Sequence, residues 1–350
     1  MRVGLSMLTL VPGVSGGSET YARGLARELA RRGKVDVVAL VPSIVPDAGE
    51  GLPTEVVDEY GAARTTGRRV LAMSRAAILP GALRRRYAGL DVVHYPLTVP
   101  IPSVDARTVV TLHDVQHVDL PGNFGPATRV FRRLAYDRAA RRADAVVAIS
   151  EFVRGRAIEG LSLDPRRVHV IHLGIDHELF RRGDVPRERF LLYPARRWPH
   201  KNHERLFQAF AELRRRQPDL ELVLTSYDGP VPEGVRAPGH VSRDELAHLY
   251  RTAAALVFPS LYEGFGLPPL EAMACGCPVA CSNAASLPEV VGDAARLFDP
   301  RSVDEIAEAV EDVLASAEAW SARGPARAAA FTWERTARAH EEIYVRAAEG

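Results

Sequence analysis

Two glutamates, Glu263 and Glu271, stand with seven residues between them around the turn Glu263-Gly264-Phe265-Gly266. Ionised carboxylates accept hydrogen bonds from hydroxyl groups, so such a pair suits a sugar and a ribose. A single glutamate there would only favour the positive end of a helix dipole. Two of them around Gly-Phe-Gly and a Pro-Pro pair, Pro268-Pro269, point to a ligand instead. Two cations, Arg196 and Lys201, lie in Pro194-Ala-Arg-Arg-Trp-Pro-His-Lys-Asn202, just before a predicted helix. Cations at a helix N-terminus form a diphosphate site. Lys34 and Lys201 are the only lysines in an Arg-rich chain, which marks Lys201 as a position that prefers a compact ammonium. His113 follows an apolar run, Thr108 to Leu112, and is placed to touch a ligand at a strand end; Asp114 and His117 are weaker candidates.

The elements that must hold these groups follow from the apolar pattern. Ala255 to Phe258 reads as a buried parallel strand, the Gly-rich turn follows, then a helix over Leu270 to Ala274 and a second strand over Pro278 to Cys281. This puts Glu263 where the chain leaves a strand and Glu271 in the first turn of a helix. Ligands of open α/β sheets bind outside the carboxyl ends of the strands, so both carboxylates can face one ligand there. Backbone N–H groups of the intervening helix start suit anionic or hydroxyl-rich groups.

The same alternation runs through the chain. Arg2 to Leu8 is a predicted strand, Val11 to Thr20 a Gly-rich loop, and a helix runs to Arg32 and stops at Gly33. Gly16 and Gly17 let backbone approach a ligand closely, or simply make the loop flexible. No Gly-x-Gly-x-x-Gly is present, so this is not the dinucleotide pattern. Further strands are predicted over Val35–Val41, Asp91–Tyr95, Ala145–Ile149 and Val168–Leu173, with residues 42–60 irregular and an Arg-rich helix over Pro126–Arg142. The second half restarts at Phe190–Tyr193, followed by a helix over His203–Arg215 and a strand over Leu220–Thr225. Residues 227–239 read as a loop; then comes a helix capped by Ser242 and Glu245. Helices close the chain, the last over Trp333 to Ala348. Two doubly wound α/β domains facing a cleft are expected.

The central segment resembles the Glu-x7-Glu signature of retaining glycosyltransferases of family 4, which have the GT-B fold. The resemblance extends to the Pro-Ala-x-x-Trp-Pro-His-Lys-Asn stretch and to Thr111-Leu-His-Asp-Val-Gln-His117. Gly174-Ile175-Asp176 is similar to the family's Asn-Gly-Val-Asp linker, with Leu173 and Ile175 departing from it. The resemblance implies an N-terminal domain over 1–176 that receives the acceptor. It implies a donor domain over 177–332, with the helix 333–350 packing back on the first. Lys201 and Arg196 would grip the donor diphosphate, although Arg196 stands where many relatives have Asn. Glu271 would hold the ribose and Val241 the base. Glu263, with the backbone of Phe265, Gly266 and Leu267, would hold sugar hydroxyls. His113 would face the sugar, and the Gly16-Gly17 turn, with Glu19 a lesser candidate, would lie over the diphosphate. The implied reaction is a metal-independent, retaining transfer of a hexose or deoxyhexose from a nucleotide-diphospho-sugar to a glycan, lipid-linked or small-molecule acceptor. The pattern around His113 and Lys201 favours GDP-mannose over UDP- or dTDP-sugars. A sugar-nucleotide epimerase and a non-catalytic nucleotide-sugar-binding protein stay open as alternatives.

Bulk properties agree with this class. At 350 residues, with 47% apolar and 25% charged residues, the chain suits two globular domains. No apolar run is long enough to span a bilayer, and Met1 to Leu8 is too strand-like for a secretion signal. A cytoplasmic location, at the inner membrane face in one reading, is expected. Cys275, Cys277 and Cys281 lack a fourth ligand nearby and read as small buried residues. No cofactor, metal or nucleic acid is expected. Residues 1–175 carry 24 Lys and Arg against 17 Asp and Glu, a balance of +7, and the remainder carries −6, as two domains with different partners would. Between Gly61 and Leu90 there is no acidic residue, while Arg64, Arg68, Arg69, Arg75, Arg84, Arg85 and Arg86 interleave with Val70, Leu71, Ile78 and Leu79. This 64–86 region reads either as a basic face for anionic lipid or a phosphate-bearing acceptor, or as a solvated surface.

Overall fold

The structure, a computed structural model, describes residues 1–13, 16–63, 65–78 and 80–349. Val14 and Ser15 of the Gly-rich loop and Arg64 and Leu79 of the Arg-rich stretch lie outside the described residues, as do the side chains of Arg69 and Val70. The chain forms two compact units, Met1–Gly174 with Trp333–Gly350, and Ile175–Thr332.

The first unit is a seven-stranded parallel sheet. Its strands are β1 (Arg2–Ser6), β2 (Asp36–Pro42), β3 (Thr54–Val57), β4 (Val92–Tyr95), β5 (Arg107–Leu112), β6 (Ala145–Ala148) and β7 (Val168–Val170), in the spatial order β3-β2-β1-β4-β5-β6-β7. All pairings are parallel, and the central strands are buried almost end to end, as sheets covered on both faces require. The helices are α1 (Gly17–Arg32), α2 (Thr66–Ile78), α3 (Gly81–Arg86), α4 (Gln116–Asp119), α5 (Pro126–Arg132), α6 (Arg138–Arg142) and α7 (Glu151–Leu161). The strand order reverses between β1 and β4. Right-handed crossovers therefore put α1 on one face and α2 to α7 on the other.

The second unit is a six-stranded parallel sheet, β8 (Glu188–Pro194), β9 (Glu221–Thr225), β10 (Val235–Gly239), β11 (Ala253–Phe258), β12 (Val279–Ser282) and β13 (Arg296–Phe298), ordered β10-β9-β8-β11-β12-β13. Its helices are α8 (His203–Arg216), α9 (Arg243–Thr252), α10 (Leu267–Ala274), α11 (Leu287–Val291), α12 (Val303–Ala315) and α13 (Ala317–Ala328). Here the order reverses between β8 and β11, the crevice at which such sheets take ligands.

The last helix, α14 (Trp333–Glu349), belongs to the first unit and packs on α1, β4 and β5. Gly24 of α1 makes that approach possible: a Cβ there would stand 2.4 Å from the Trp333 indole. Arg32 adds a two-pronged pair with Glu341 at 2.9 and 2.8 Å.

Several sequence expectations change. β3 and β10 fall in stretches read as irregular, 42–60 and 227–239. The Arg-rich helix over 126–142 is broken by a π-helical turn, Arg133–Asp137. α10 starts at Leu267, three residues earlier than expected, because Pro268 and Pro269 are tolerated in a first turn where their missing N–H groups have no helical partner. Glu271 consequently sits in the second turn, not the first.

Candidate active site

The candidate donor site of the second unit is built on the two loops that leave β8 and β11, on either side of the reversal in strand order. Pro199–Lys201 make a single 3-10 turn, and Asn202 (φ 61°) takes the left-handed conformation before α8 begins. Asn is among the few side chains that visit that region readily. The Asn202 amide donates to the carbonyls of Pro259 (3.1 Å) and Pro300 (2.7 Å). Leu261 N–H donates to the His200 carbonyl at 2.8 Å. The buried Tyr193 hydroxyl donates to the Lys201 carbonyl at 2.7 Å and lies 3.1 Å from Ser260 Oγ. These bonds stitch the two loops together.

That stitching brings Lys201 and Glu263 into contact. Lys201 Nζ lies 2.6 Å from Glu263 Oε1, and the side chains are only 14% and 15% exposed. The ammonium also stands 5.7 Å from the centroid of the Phe258 ring. The turn after Glu263 is clasped by Ser286, whose hydroxyl lies 3.0 Å from the carbonyl of Glu263 and 2.6 Å from that of Phe265. Gly266 has φ 127°, a conformation open to glycine, and a Cβ there would meet Leu287 at 2.8 Å. Among the described residues no group accepts from the N–H of Gly266 or of Leu267, so this helix start presents two donors. Pro268 and Pro269 supply none.

Glu271 is 8% exposed. The Tyr250 hydroxyl donates to its Oε2 at 3.2 Å. Burial pushes its carboxyl up to about 7, against the opposing pull of the Arg243 guanidinium. Tyr250 is held by α9, whose capping box joins Ser242 and Glu245 as expected. Among the described residues no hydrogen bond or ion pair links Glu271 to the Lys201–Glu263 pair. Arg196 is half-buried at the start of the β8 loop, and Val241 lies between β10 and α9.

In the first unit, Gly16 caps α1 with φ 53°, and Gly17 is the first helical residue. A Cβ at Gly16 would meet nothing within 4 Å, so the backbone there is open to approach. Glu19 turns inward on its own loop: its Oε2 accepts from Gly13 N–H at 2.9 Å, and Arg23 bridges it to Asp47 and Glu50. His113 stands at the end of β5 with Nε2 2.7 Å from the Pro96 carbonyl. A carbonyl only accepts, so Nε2 carries the hydrogen and Nδ1 is left as an acceptor. Burial holds its pKa below the ordinary value, so the ring is neutral near pH 7. The two lesser candidates have internal partners. Asp114 Oδ1 accepts from Gln116 N–H and from Arg132. His117 is buried against Asp137 at 2.7 Å.

Sequence reasoning did not single out Tyr193, Ser260, Ser286 or Tyr250. The one available signal was Asn202, directly after Lys201, a residue type suited to a left-handed turn. All three cysteines are buried and unpaired, and burial pushes the thiols of Cys275 and Cys277 up to about 12. Among the described residues no three His, Cys, Asp or Glu side chains gather so as to hold a metal ion, and no helix is long and apolar enough to cross a membrane.

Comparison with known proteins finds matches to both units. Residues 176–327 match the family model for glycosyl transferases group 1, and residues 15–179 that for glycosyltransferase family 4. The chain is 32% identical over 277 residues to the O-antigen chain mannosyltransferase B of Escherichia coli, covering 70% of this chain and 71% of that one. It is 33% identical to the serotype-specific mannosyltransferase WbdA of Escherichia coli over 72% of its own length, but spans only 35% of that longer protein. Its fold is similar to that of sucrose-phosphate synthase from Thermosynechococcus elongatus (TM-score 0.79, 20% identity, 99% and 98% of the two chains). It is also similar to Anabaena Alr3699/HepE in complex with UDP-glucose (TM-score 0.73, 17% identity, 99% and 100%).

Proposed function

The chain belongs to the glycosyltransferases of family 4, and from that premise we propose that it moves a hexose or deoxyhexose from a nucleotide-diphospho-sugar to an acceptor hydroxyl. The observation that carries this reading is the shielded Lys201–Glu263 ion pair at the reversal of strand order in the second unit. In the structure the two charges satisfy each other. A diphosphate arriving at Lys201 competes for the ammonium, and Glu263 is then released to accept hydrogen bonds from sugar hydroxyls. The N–H groups of Gly266 and Leu267 donate to the same ligand, Glu271 holds the ribose, and Val241 meets the base through its backbone. Arg196 is the second diphosphate cation. His113 is proposed to accept, through Nδ1, from a hydroxyl of the transferring sugar.

In the reaction the bond from sugar C1 to the diphosphate oxygen breaks and a bond from C1 to the acceptor oxygen forms. Lys201 stabilises the charge that develops on the departing diphosphate. That diphosphate takes the acceptor's proton from the same face, which retains the anomeric configuration. The cations do the work of a metal, so chelation should leave turnover unchanged. The mannosyltransferase relative, together with the residues around His113 and Lys201, favours GDP-mannose as donor.

The test is a panel of nucleotide sugars with and without candidate acceptors. Acceptor-dependent nucleotide release with a retained anomer supports transfer. Acceptor-free isomerisation would make the protein an epimerase, and binding without turnover a nucleotide-sugar sensor. We also propose a peripheral contact of α2 and α3 with anionic lipid. Leu71 and Ile78 are 58% and 75% exposed beside exposed Arg68 and Arg75, whereas Ala72 and Ala76 face inward. Salt-sensitive binding to anionic but not neutral vesicles supports it; equal binding to both removes it.

A further inference from the structure

Five buried polar side chains of the first unit form a hydrogen-bond chain with one direction. His340 Nδ1 lies 2.8 Å from the Thr336 carbonyl, which only accepts, so Nδ1 carries the hydrogen and Nε2 is the acceptor. The Tyr21 hydroxyl, 2.7 Å from that Nε2, must donate to it. The Tyr21 oxygen is then left to accept from Thr111 Oγ1 at 2.8 Å. Thr111 in turn accepts from His94 Nε2 at 2.8 Å, and His94 Nδ1 accepts from the Tyr344 hydroxyl at 2.8 Å. All five side chains are fully buried. Burial pushes His340 down to about 4 and His94 well below its ordinary value, so both imidazoles are neutral and the direction holds across physiological pH.

Three elements meet at Tyr21. It lies on α1, one turn after Gly17. Its hydroxyl is fixed by β5 through Thr111 and by α14 through His340. Its ring stands edge-on to the His113 ring, 5.1 Å between centroids at 80°. Thr111 and His113 are two residues apart, the spacing that puts side chains on one face of a strand. His113 is therefore boxed by Tyr21 on one side and by the Pro96 carbonyl at its Nε2. The ionisable groups that bear on it are Asp114, which favours its charged form, and the neutral His94 behind it.

We propose that Tyr21 is a positioning residue: its hydroxyl, clamped between Thr111 and His340, holds the ring that keeps His113 in the Nε2–H tautomer with Nδ1 turned to the ligand. The C-terminal helix thus acts on the site from behind, through one hydroxyl. This rests on the reading of His113 as a sugar contact, but half of its test needs no substrate.

Tyr21→Phe and His340→Met each cut the Tyr21–His340 bond, one from either end, and His340→Gln restores an acceptor. The full-length variants are compared by thermal unfolding, by 15N shifts of the histidine rings, and by nucleotide release from the donor found active with the wild type. Tyr21→Phe and His340→Met should lower kcat about 10- to 100-fold with donor affinity within about twofold, as misplacement of a contacting group does. The His113 ring should lose part of its Nε2–H signature, and His340→Gln should recover both properties. A drop in Tm with the His113 signals and kcat unchanged would make the chain merely structural and overturn the proposal, as would failure of His340→Gln to differ from His340→Met. If Tyr21→Phe does not fold, the His340 pair gives the answer alone. A wild-type protein that turns over no nucleotide sugar removes the functional reading, while the ring spectra still decide the role of Tyr21.

Discussion

Glu271 offers the sharpest quantitative test of the donor site. Its carboxyl is raised to about 7 by burial, so near neutrality only about half of the molecules carry the charge. A ribose offers hydroxyl donors, and the ionised carboxylate is the form that accepts two of them. If that form is the one competent to bind, the apparent Kd is the intrinsic value divided by the ionised fraction. That fraction is about 0.9 at pH 8 and about 0.09 at pH 6, so donor affinity should weaken about tenfold across the interval. An ordinary surface glutamate would give almost no change. The diphosphate of a nucleotide sugar is esterified at both ends and does not titrate there, and burial shifts the His113 titration below its ordinary value. Titration calorimetry at pH 6, 7 and 8, in two buffers of different ionisation heat, measures both the Kd and the release of about half a proton at pH 7. Glu271→Gln should bind more weakly at pH 8 and lose the slope. A wild-type Kd constant within about twofold over this range, or a slope that survives in Glu271→Gln, would refute the assignment. The same shift fixes the sign of a stability effect. The folded protein holds this proton to higher pH than the unfolded chain, so the contribution is fully present below about pH 4.5. It is lost as pH rises through 7, by about 3 kcal/mol. Urea unfolding of wild type minus Glu271→Gln at pH 5 and 8 reads that difference.

Other perturbations separate the remaining parts. Lys201→Ala should lower turnover about 10²-fold or more, by analogy with the loss of one contact to a developing anion, and Lys201→Arg should recover little because a planar fork does not reproduce a compact ammonium; steady-state nucleotide release checks both. Ser286→Ala leaves the carbonyls of Glu263 and Phe265 without their shared donor, a loss of about 1–3 kcal/mol that should appear as a raised donor KM with a modest fall in Tm. Gly24→Ala drives a methyl into the Trp333 indole and should lower Tm by about 2–4 °C for each kcal/mol of overpacking, with donor affinity unchanged.

The parallel alternation was legible because the inner strands of a sheet covered on both faces are continuous apolar runs, such as Ala255-Leu256-Val257-Phe258. The two strands that were not legible each lie at one edge of their sheet. β3 reads Thr-Glu-Val-Val with only its last residue buried, and β10 carries Pro238 and Gly239. An edge strand is paired on one side only, so it tolerates proline and polar residues and loses the signature that marks its neighbours. The start of α10 was misplaced for a similar reason. Pro-Pro reads as a breaker, yet in a first turn it removes only N–H groups that no carbonyl of the helix would accept.

The candidate site divides along the same physical line. Glu263, Gly266 and Glu271 lie on one short segment, so spacing alone could nominate them. The groups that fix their geometry come from elsewhere in the chain: Ser286 beneath the turn, Tyr250 on the carboxylate, Tyr193 and Asn202 across the loops. No local pattern encodes such pairings, because they depend on which strand lies beside which. The Lys201–Glu263 bond shows what this hides. From the sequence, the two residues are a cation for phosphate and a carboxylate for sugar, each waiting for its own part of one ligand. In the folded unit they occupy each other at 2.6 Å, nearly out of solvent. An ion pair so shielded is costly to break singly, since the abandoned partner keeps its charge without compensation. A ligand that brings an anion for Lys201 and hydroxyl donors for Glu263 replaces both interactions at once, whereas inorganic phosphate alone frees Glu263 and gives it nothing. On the proposed reading, selectivity for a sugar joined to a diphosphate is expected of the pair, beyond what either residue offers separately.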